Sequence, residues 1–154
     1  MIQLLELKAP PPLVALAVAI LMWGLAQNTP SFGLPDPWSL ITALALVSLG
    51  LGAAIAGVVS FHRANTTIHP LTPERSSALV ETGIYRYSRN PMYLGMALVL
   101  LAWSLWLAAP LALLGPLAFM AFIQRFQSRP EERALARQFG PAFSSYCQRV
   151  RRWL

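Results

Sequence analysis

The chain has 154 residues, about one domain, yet 56% of them are hydrophobic and only 12% charged, where an ordinary soluble domain has ~25% charged. So few ionisable groups cannot cover a globule of this size, and the surplus apolar residues would form broad exposed patches, so a soluble monomer is all but excluded. The net charge of +6 rests on twelve cations, eleven of them arginine, that cluster beside apolar runs instead of spreading over a polar surface as in a nucleic-acid binder, and the single cysteine, Cys147, excludes an internal disulfide.

In chain order, the first apolar stretch is 12–26 and the second is 38–61, which contains no charge. The first, preceded by Lys8 and ending in Gly24 and Ala26, also fits a cleavable signal peptide. In the second, Ser48, Gly52, Ala56 and Ser60 form a small-residue stripe at spacing four that would let another helix approach closely. The third and fourth stretches share the block from Pro91 to Phe126, whose first charge is Arg125. As one straight helix that block would be ~54 Å long, against a hydrocarbon core of ~30 Å, so it must fold back. Ala108-Ala109-Pro110 supplies the break, since proline lacks a backbone donor and disfavours helix at the residue before it. The expected element is a helical hairpin over 92–126, with helices at 92–107 and 111–126.

All twelve cations fall on one side of such a four-span arrangement: Lys8, the arginines of the 62–90 segment, and those from Arg125 onward. Because positive loops stay in the cytoplasm, the expectation is an all-α integral membrane protein with both termini cytoplasmic, in a bacterial-type inner membrane or another cell membrane. The polar segment 62–90, with Pro70 and Pro73, is longer than a plain connection, as functional loops often are, and Leu79, Val80, Ile84, Tyr85 and Tyr87 give it apolar groups to pack. In the segment 127–154, Leu135, Phe139, Phe143, Tyr146, Val150 and Trp153 recur at three or four, which predicts an amphipathic cytoplasmic helix pair jointed at Gly140-Pro141. Trp153 and the terminal arginines read as an interface anchor. The single domain 1–154 contains no repeat.

Two places hold chemistry. Asn90-Pro91-Met92-Tyr93, with Gly95 one turn on, starts the third helix. Asn90 is a good N-cap and Pro91 suits a first turn, while the exposed amides of such a start can also seat a carboxylate and Gly95 leaves room for a ligand. Glu131-Glu132 follows Pro130 in the first turn of the surface helix. There the pair can favour the helix dipole, with Ser128 and Glu131 as a capping box, or it can hold a cationic ligand. His62 and His69 with the distant Cys147 give no metal spacing, and the sequon Asn65-Thr66-Thr67 falls on the cytoplasmic side.

The run from Thr82 to Gly95, then Arg129-Pro130-Glu131-Glu132, then Phe139-Gly140 with Tyr146 and Arg149, resembles the integral-membrane methyltransferases related to isoprenylcysteine carboxyl methyltransferase and phosphatidylethanolamine N-methyltransferase. The resemblance covers residues 63–152. It implies an S-adenosylmethionine-dependent methyltransferase whose two motifs line the cofactor pocket at the cytoplasmic helix ends, acting on a lipid-like or apolar small-molecule acceptor among membrane lipids. The carboxyl methyltransferases usually have histidine where this chain has Asn90, whereas phospholipid enzymes can have Asn-Pro-Met-Tyr, which counts against a prenylcysteine acceptor. Gly50-Leu51-Gly52 resembles the glycine motif of the phospholipid enzymes.

The resemblance puts Tyr85, Arg89, Asn90, Pro91, Met92, Tyr93, Gly95, Glu131 and Glu132 around the cofactor, and their chemistry suits it. Glu131 and Glu132 can hold its ammonium or ribose, Arg89 and the amides at Asn90 its carboxylate, and Tyr85 or Tyr93 can cover adenine or sulfonium. No residue stands out as catalytic, and a carboxylate, amine, thiol or phenol could each accept the methyl. A non-catalytic membrane scaffold or small transporter is the rival reading; a transporter should carry ionisable groups inside its spans, which here lack them apart from Arg125 at a cytoplasmic end.

Overall fold

The computed structural model describes residues 6–30, 36–66 and 77–154. His69, Thr67 of the sequon, Pro70 and Pro73 lie outside them. Among the described residues the structure is helical and contains no strand. The helices are α1 (Pro11–Gln27), α2 (Pro37–Arg63), α3 (Pro91–Leu107), α4 (Leu114–Ile123), α5 (Arg129–Phe139) and α6 (Pro141–Arg149), with 3-10 turns at Gly83–Arg86 and Pro110–Leu113.

Proline opens α1, α2, α3 and α6 because its missing N–H falls among the donors a helix start leaves unpaired. Asp36 caps α2 by accepting from the amides of Trp38 (2.8 Å) and Ser39 (3.0 Å). The break between the hairpin helices falls at Ala108, which turns left-handed at φ 48°. The joint at Gly140 also takes a positive φ, 49°, with ψ −120°, a conformation in which glycine carries no steric cost.

By length and composition, α2 is the one helix among the described residues able to cross a membrane by itself. At 17 residues each, α1 and α3 are shorter apolar helices, ~26 Å long at ~1.5 Å per residue. The fourth predicted helix does not end at Phe126. It continues from α4 through a five-residue π-helical segment, Gln124–Ser128, into α5. Ser128 is therefore helical (φ −62°, ψ −44°) and makes no cap, so the expected capping box does not form. Pro130 inside this run has no N–H for the carbonyl of Phe126 four residues back, and the Leu7 amide takes that carbonyl at 3.1 Å.

α2 and α3 lie antiparallel along the most extensive helix interface. Their closest point is Gly50 against Gly95: a Cβ on Gly50 would stand 2.6 Å from the Gly95 carbonyl oxygen, and one on Gly95 2.4 Å from that of Gly50. Gly95 thus serves helix contact and leaves no room for a ligand, and Gly50 is accounted for the same way. The stripe read from the sequence coincides with the buried side only toward its end, where Ala56 is half-buried and Ser60 buried. Gly52 and Ser48 are exposed, while Ala43, Gly50 and Gly57 are buried. Steps of four drift by ~40° each on a helix of ~100° per residue, whereas steps of seven drift only ~20° and hold one face. Gly95→Ala is expected to lower stability by about 1–3 kcal/mol, because its methyl meets backbone that no side-chain rotation can move aside. A thermal melt in detergent checks this; an unchanged midpoint would mean the helices can part at no cost.

On the other side α1 and α4 close the core, where Met22, Leu100, Phe119 and Ile123 are buried and the Met22 side chain fills the hollow over Gly115. The Trp103 indole donates to the Ala19 carbonyl at 3.1 Å. Phe143, Tyr146 and Val150 form a second buried cluster with Leu79, Leu135 and Phe139, so the predicted apolar repeat of the C-terminal segment packs inward.

Candidate active site

The two sequence motifs meet where the start of α3 touches the π segment and the first turn of α5. Asn90 Nδ2 donates to Ser128 Oγ at 3.0 Å, and the Tyr93 hydroxyl donates to Glu131 Oε1 at 2.6 Å. Both bonds join residues 38 apart in sequence, so they clip one helix turn onto the other in register. Gln127 Nε2, one turn before Glu131, adds a second bond to the same oxygen at 2.7 Å. Asn90 occupies the N-cap position, but its side chain makes no cap; its amide instead faces Ser128 across the contact, and both residues are buried.

Glu131 and Glu132 are adjacent in sequence and differ in surroundings. Burial pushes the Glu131 carboxyl up to about 7 from an ordinary value near 4.5; the Tyr93 and Gln127 hydrogen bonds pull it down, and the Glu132 charge adds to the rise. Glu132 points the other way. Its carboxylate takes a two-pronged clamp from Arg152, Nε to Oε1 at 2.9 Å and Nη2 to Oε2 at 2.6 Å, and pairs with Arg89 Nη1 at 3.1 Å. Of the two acids expected to hold a ligand's ammonium or ribose, Glu132 already pairs with two guanidiniums.

Arg89 also touches Cys147 Sγ through Nη1, and its Nε is buried without a hydrogen-bond partner among the described residues. Burial pushes the Cys147 thiol up, which disfavours the reactive thiolate. The chain after α6 returns past this arginine: the Arg89 amide donates to the Arg151 carbonyl at 3.0 Å, and Ser88 Oγ to the Arg152 carbonyl at 3.2 Å. The terminal residues are thus built into the site instead of anchoring at an interface. Arg152 clamps Glu132, and the Trp153 indole donates to Gln124 Oε1 at 3.1 Å.

Tyr85 is buried. Its ring stands edge-on to Phe61 at 5.4 Å, and its carbonyl accepts from the Tyr146 hydroxyl at 2.8 Å. Burial pushes its hydroxyl up, with the charges of Tyr146 and Glu131 adding to the effect. It packs the loop against α2 and α6, and its face is not open to cover a cofactor. The loop enters through Gly83 at φ 63°, where a Cβ would also meet Ser60 Oγ at 2.7 Å. Pro91 is buried at the start of α3, and the Met92 side chain lies against Gly57.

Gln127 and Arg152 complete the site and carried no motif of their own, while Ser88, Ser128 and Tyr146 belonged to the motif run, the expected capping box and the resemblance without being read as site residues. Gln127 stands four residues before Glu131, the spacing that puts two helical side chains side by side, and could have been found by it.

This arrangement defines a helical, membrane-associated protein whose polar chemistry gathers at one end of its apolar helices. The family model "Phospholipid methyltransferase" matches residues 38–142, about two-thirds of the chain, and the chain belongs to that family of methyltransferases. The match takes in α2 as well as both motifs. The chain is also similar to an uncharacterized protein of Haemophilus influenzae, 49% identical over 63 residues, which is all of that relative and 41% of this chain.

Proposed function

We propose that the chain transfers the methyl group of S-adenosylmethionine to a lipid-like or apolar small-molecule acceptor at the cytoplasmic face of a membrane. The observation that carries this reading is the Glu131 carboxylate, held by Tyr93 and Gln127 through a single oxygen at the meeting point of the two motifs. A carboxylate whose burial disfavours its charge gains most from a ligand cation, which suits the cofactor's ammonium; a ribose hydroxyl is the alternative partner. Arg89 Nε, without a partner among the described residues, is a donor suited to a carboxylate oxygen.

When bound, the cofactor supplies a methyl group on a positively charged sulfur. The chain's part is to hold donor and acceptor in line, because methyl transfer is a displacement governed by positioning. Tyr93 and Gln127 fix Glu131, the Asn90–Ser128 bond fixes the start of α3, and the Glu132 clamp fixes Arg89.

Four crossings with both termini cytoplasmic suit the exposed faces. Trp23, Trp38 and Trp106 are 52%, 78% and 55% exposed, and all three stand at the ends of α1, α2 and α3 remote from the motifs, as in an interfacial aromatic belt. Titration of the purified protein with S-adenosylmethionine, followed by mass spectrometry of extracted lipids, is expected to give saturable binding and a species heavier by one methyl. Absence of binding would leave a scaffold. In a Cys147→Ser background, Asn28→Cys and Ser145→Cys should label from opposite sides of intact cells, and labelling of both by an impermeant reagent would overturn the topology.

A further inference from the structure

A cavity of about 480 Å³ opens on a face of α5 away from the methyl-transfer motifs. Its floor is Pro130, Arg133, Ala134 and Arg137, a set at spacing three and four that lies on one side of the helix, while Glu131 and Glu132 turn toward α3 and the C-terminal segment. Its far wall is residues 6–7, tied down by the Leu7 amide on the Phe126 carbonyl and by Glu6, which pairs with Arg133 at 2.5 Å and with Arg125 at 3.7 Å.

Three guanidiniums therefore face one carboxylate. Arg125 and Arg133 keep half their side chains exposed, at 45% and 51%, and Arg137 has no acidic partner among the described residues. The cleft lies two residues past the end of α4 and four before the start of α1, two helices whose outer faces expose Leu117 and Leu13. A ligand here meets a cationic fork at one end and apolar helix surface at the other. Guanidinium suits phosphate because its planar donors take two oxygens at once.

We propose that this cleft seats the phosphodiester of an anionic glycerophospholipid, at a site separate from methyl transfer, with Glu6 occupying the arginines when no lipid is bound. The excess of positive charge favours a headgroup with net negative charge over a zwitterionic one. It also makes Glu6 a competitor, so that removing its charge should improve binding.

The test is native mass spectrometry of the full chain in neutral detergent, titrated separately with short-chain phosphatidylglycerol, short-chain phosphatidylcholine and inorganic phosphate. Phosphatidylglycerol is expected to bind about tenfold tighter than either of the others. Arg133→Gln and Arg137→Gln should each weaken it about fivefold, the worth of one arginine near an anionic headgroup. Glu6→Gln should tighten it severalfold, a gain that a merely structural strap would not give. Arg137 pairs with no acid among the described residues, so its variant should melt like the parent, and S-adenosylmethionine titration of the same variants, unchanged, separates this site from the cofactor site. Equal binding of inorganic phosphate would make it a free-anion site, equal binding of phosphatidylcholine would show that headgroup charge is not read, and unaltered affinity in folded arginine variants would remove the cleft from lipid binding. Each of these outcomes overturns the proposal.

Discussion

Glu131→Gln is expected to weaken S-adenosylmethionine binding by roughly 10-fold to 150-fold, the effect of losing a charge-assisted bond worth ~1.5–3 kcal/mol at ~1.4 kcal/mol per decade. The folded protein should survive the change and even gain from it. With its carboxyl near 7 in the fold and near 4.5 unfolded, the native state holds this proton more tightly than the unfolded chain does. The contribution of Glu131 to stability is then fully present below pH 4.5 and is lost as pH rises through the window to 7, by on the order of 3 kcal/mol at most. Glutamine removes that decline, so the ligand-free variant should melt above the parent at pH 8. Cofactor affinity runs the opposite way with pH. Only about a tenth of Glu131 is ionised at pH 6, so the parent's affinity should rise nearly tenfold by pH 7.5, and the variant's profile should be flat over that range. Isothermal titration at several pH values reads both slopes, and a parent profile as flat as the variant's would mean that Glu131 does not meet a cation.

Glu132→Gln is expected to act mainly on the fold. It removes the charge that two guanidiniums share, at a place where the Arg89, Arg152 and Glu132 side chains are only 14%, 26% and 19% exposed. Such partly buried, two-pronged pairing stabilises by more than a surface ion pair, and leaving Arg89 and Arg152 unmatched should cost about 2–3 kcal/mol. The melt should therefore fall for Glu132→Gln and not for Glu131→Gln. Because the clamp positions Arg89, cofactor affinity should also drop, and Glu132→Asp, which keeps the charge on a shorter arm, should recover part of it. Identical melts for the two glutamine variants would contradict the division of labour between these neighbours.

Much of the site was legible because it is local. Asn90-Pro91-Met92-Tyr93 and Glu131-Glu132 are contiguous words whose residue types suit a charged, aromatic-covered ligand, and both reach the same place in space. What the sequence hides is pairing over distance. Glu132 could have met any of several cations, and its choice of Arg152, 20 residues on, depends on the chain turning back after α6. Ser128-x-x-Glu131 after an apolar run reads as a helix start, and Pro130 strengthens that impression. The helix passes through regardless, because the π segment and the Leu7 amide absorb what proline disrupts. The stripe on α2 meets the buried side only in part for a geometric reason, since spacing four looks constant in text but drifts around the helix.

The π segment also fixes a phase. Each residue of an α-helix advances the chain by ~100° and ~1.5 Å, and the wide turn at Gln124–Ser128 accommodates one residue more than an α-turn of the same height. Deleting a single residue inside this segment would return it to an α-turn and leave everything beyond it in phase. Deleting one from the regular α-helix between the segment and Glu131 would instead rotate everything beyond the cut by ~100°. Glu131 would then swing off Tyr93, Glu132 would leave Arg152, and the arginine face of α5 would turn away from Glu6, with every functional side chain still present in the sequence. The wide turn is thus the one place between the hairpin and the acid pair where the chain can lose a residue and keep its site.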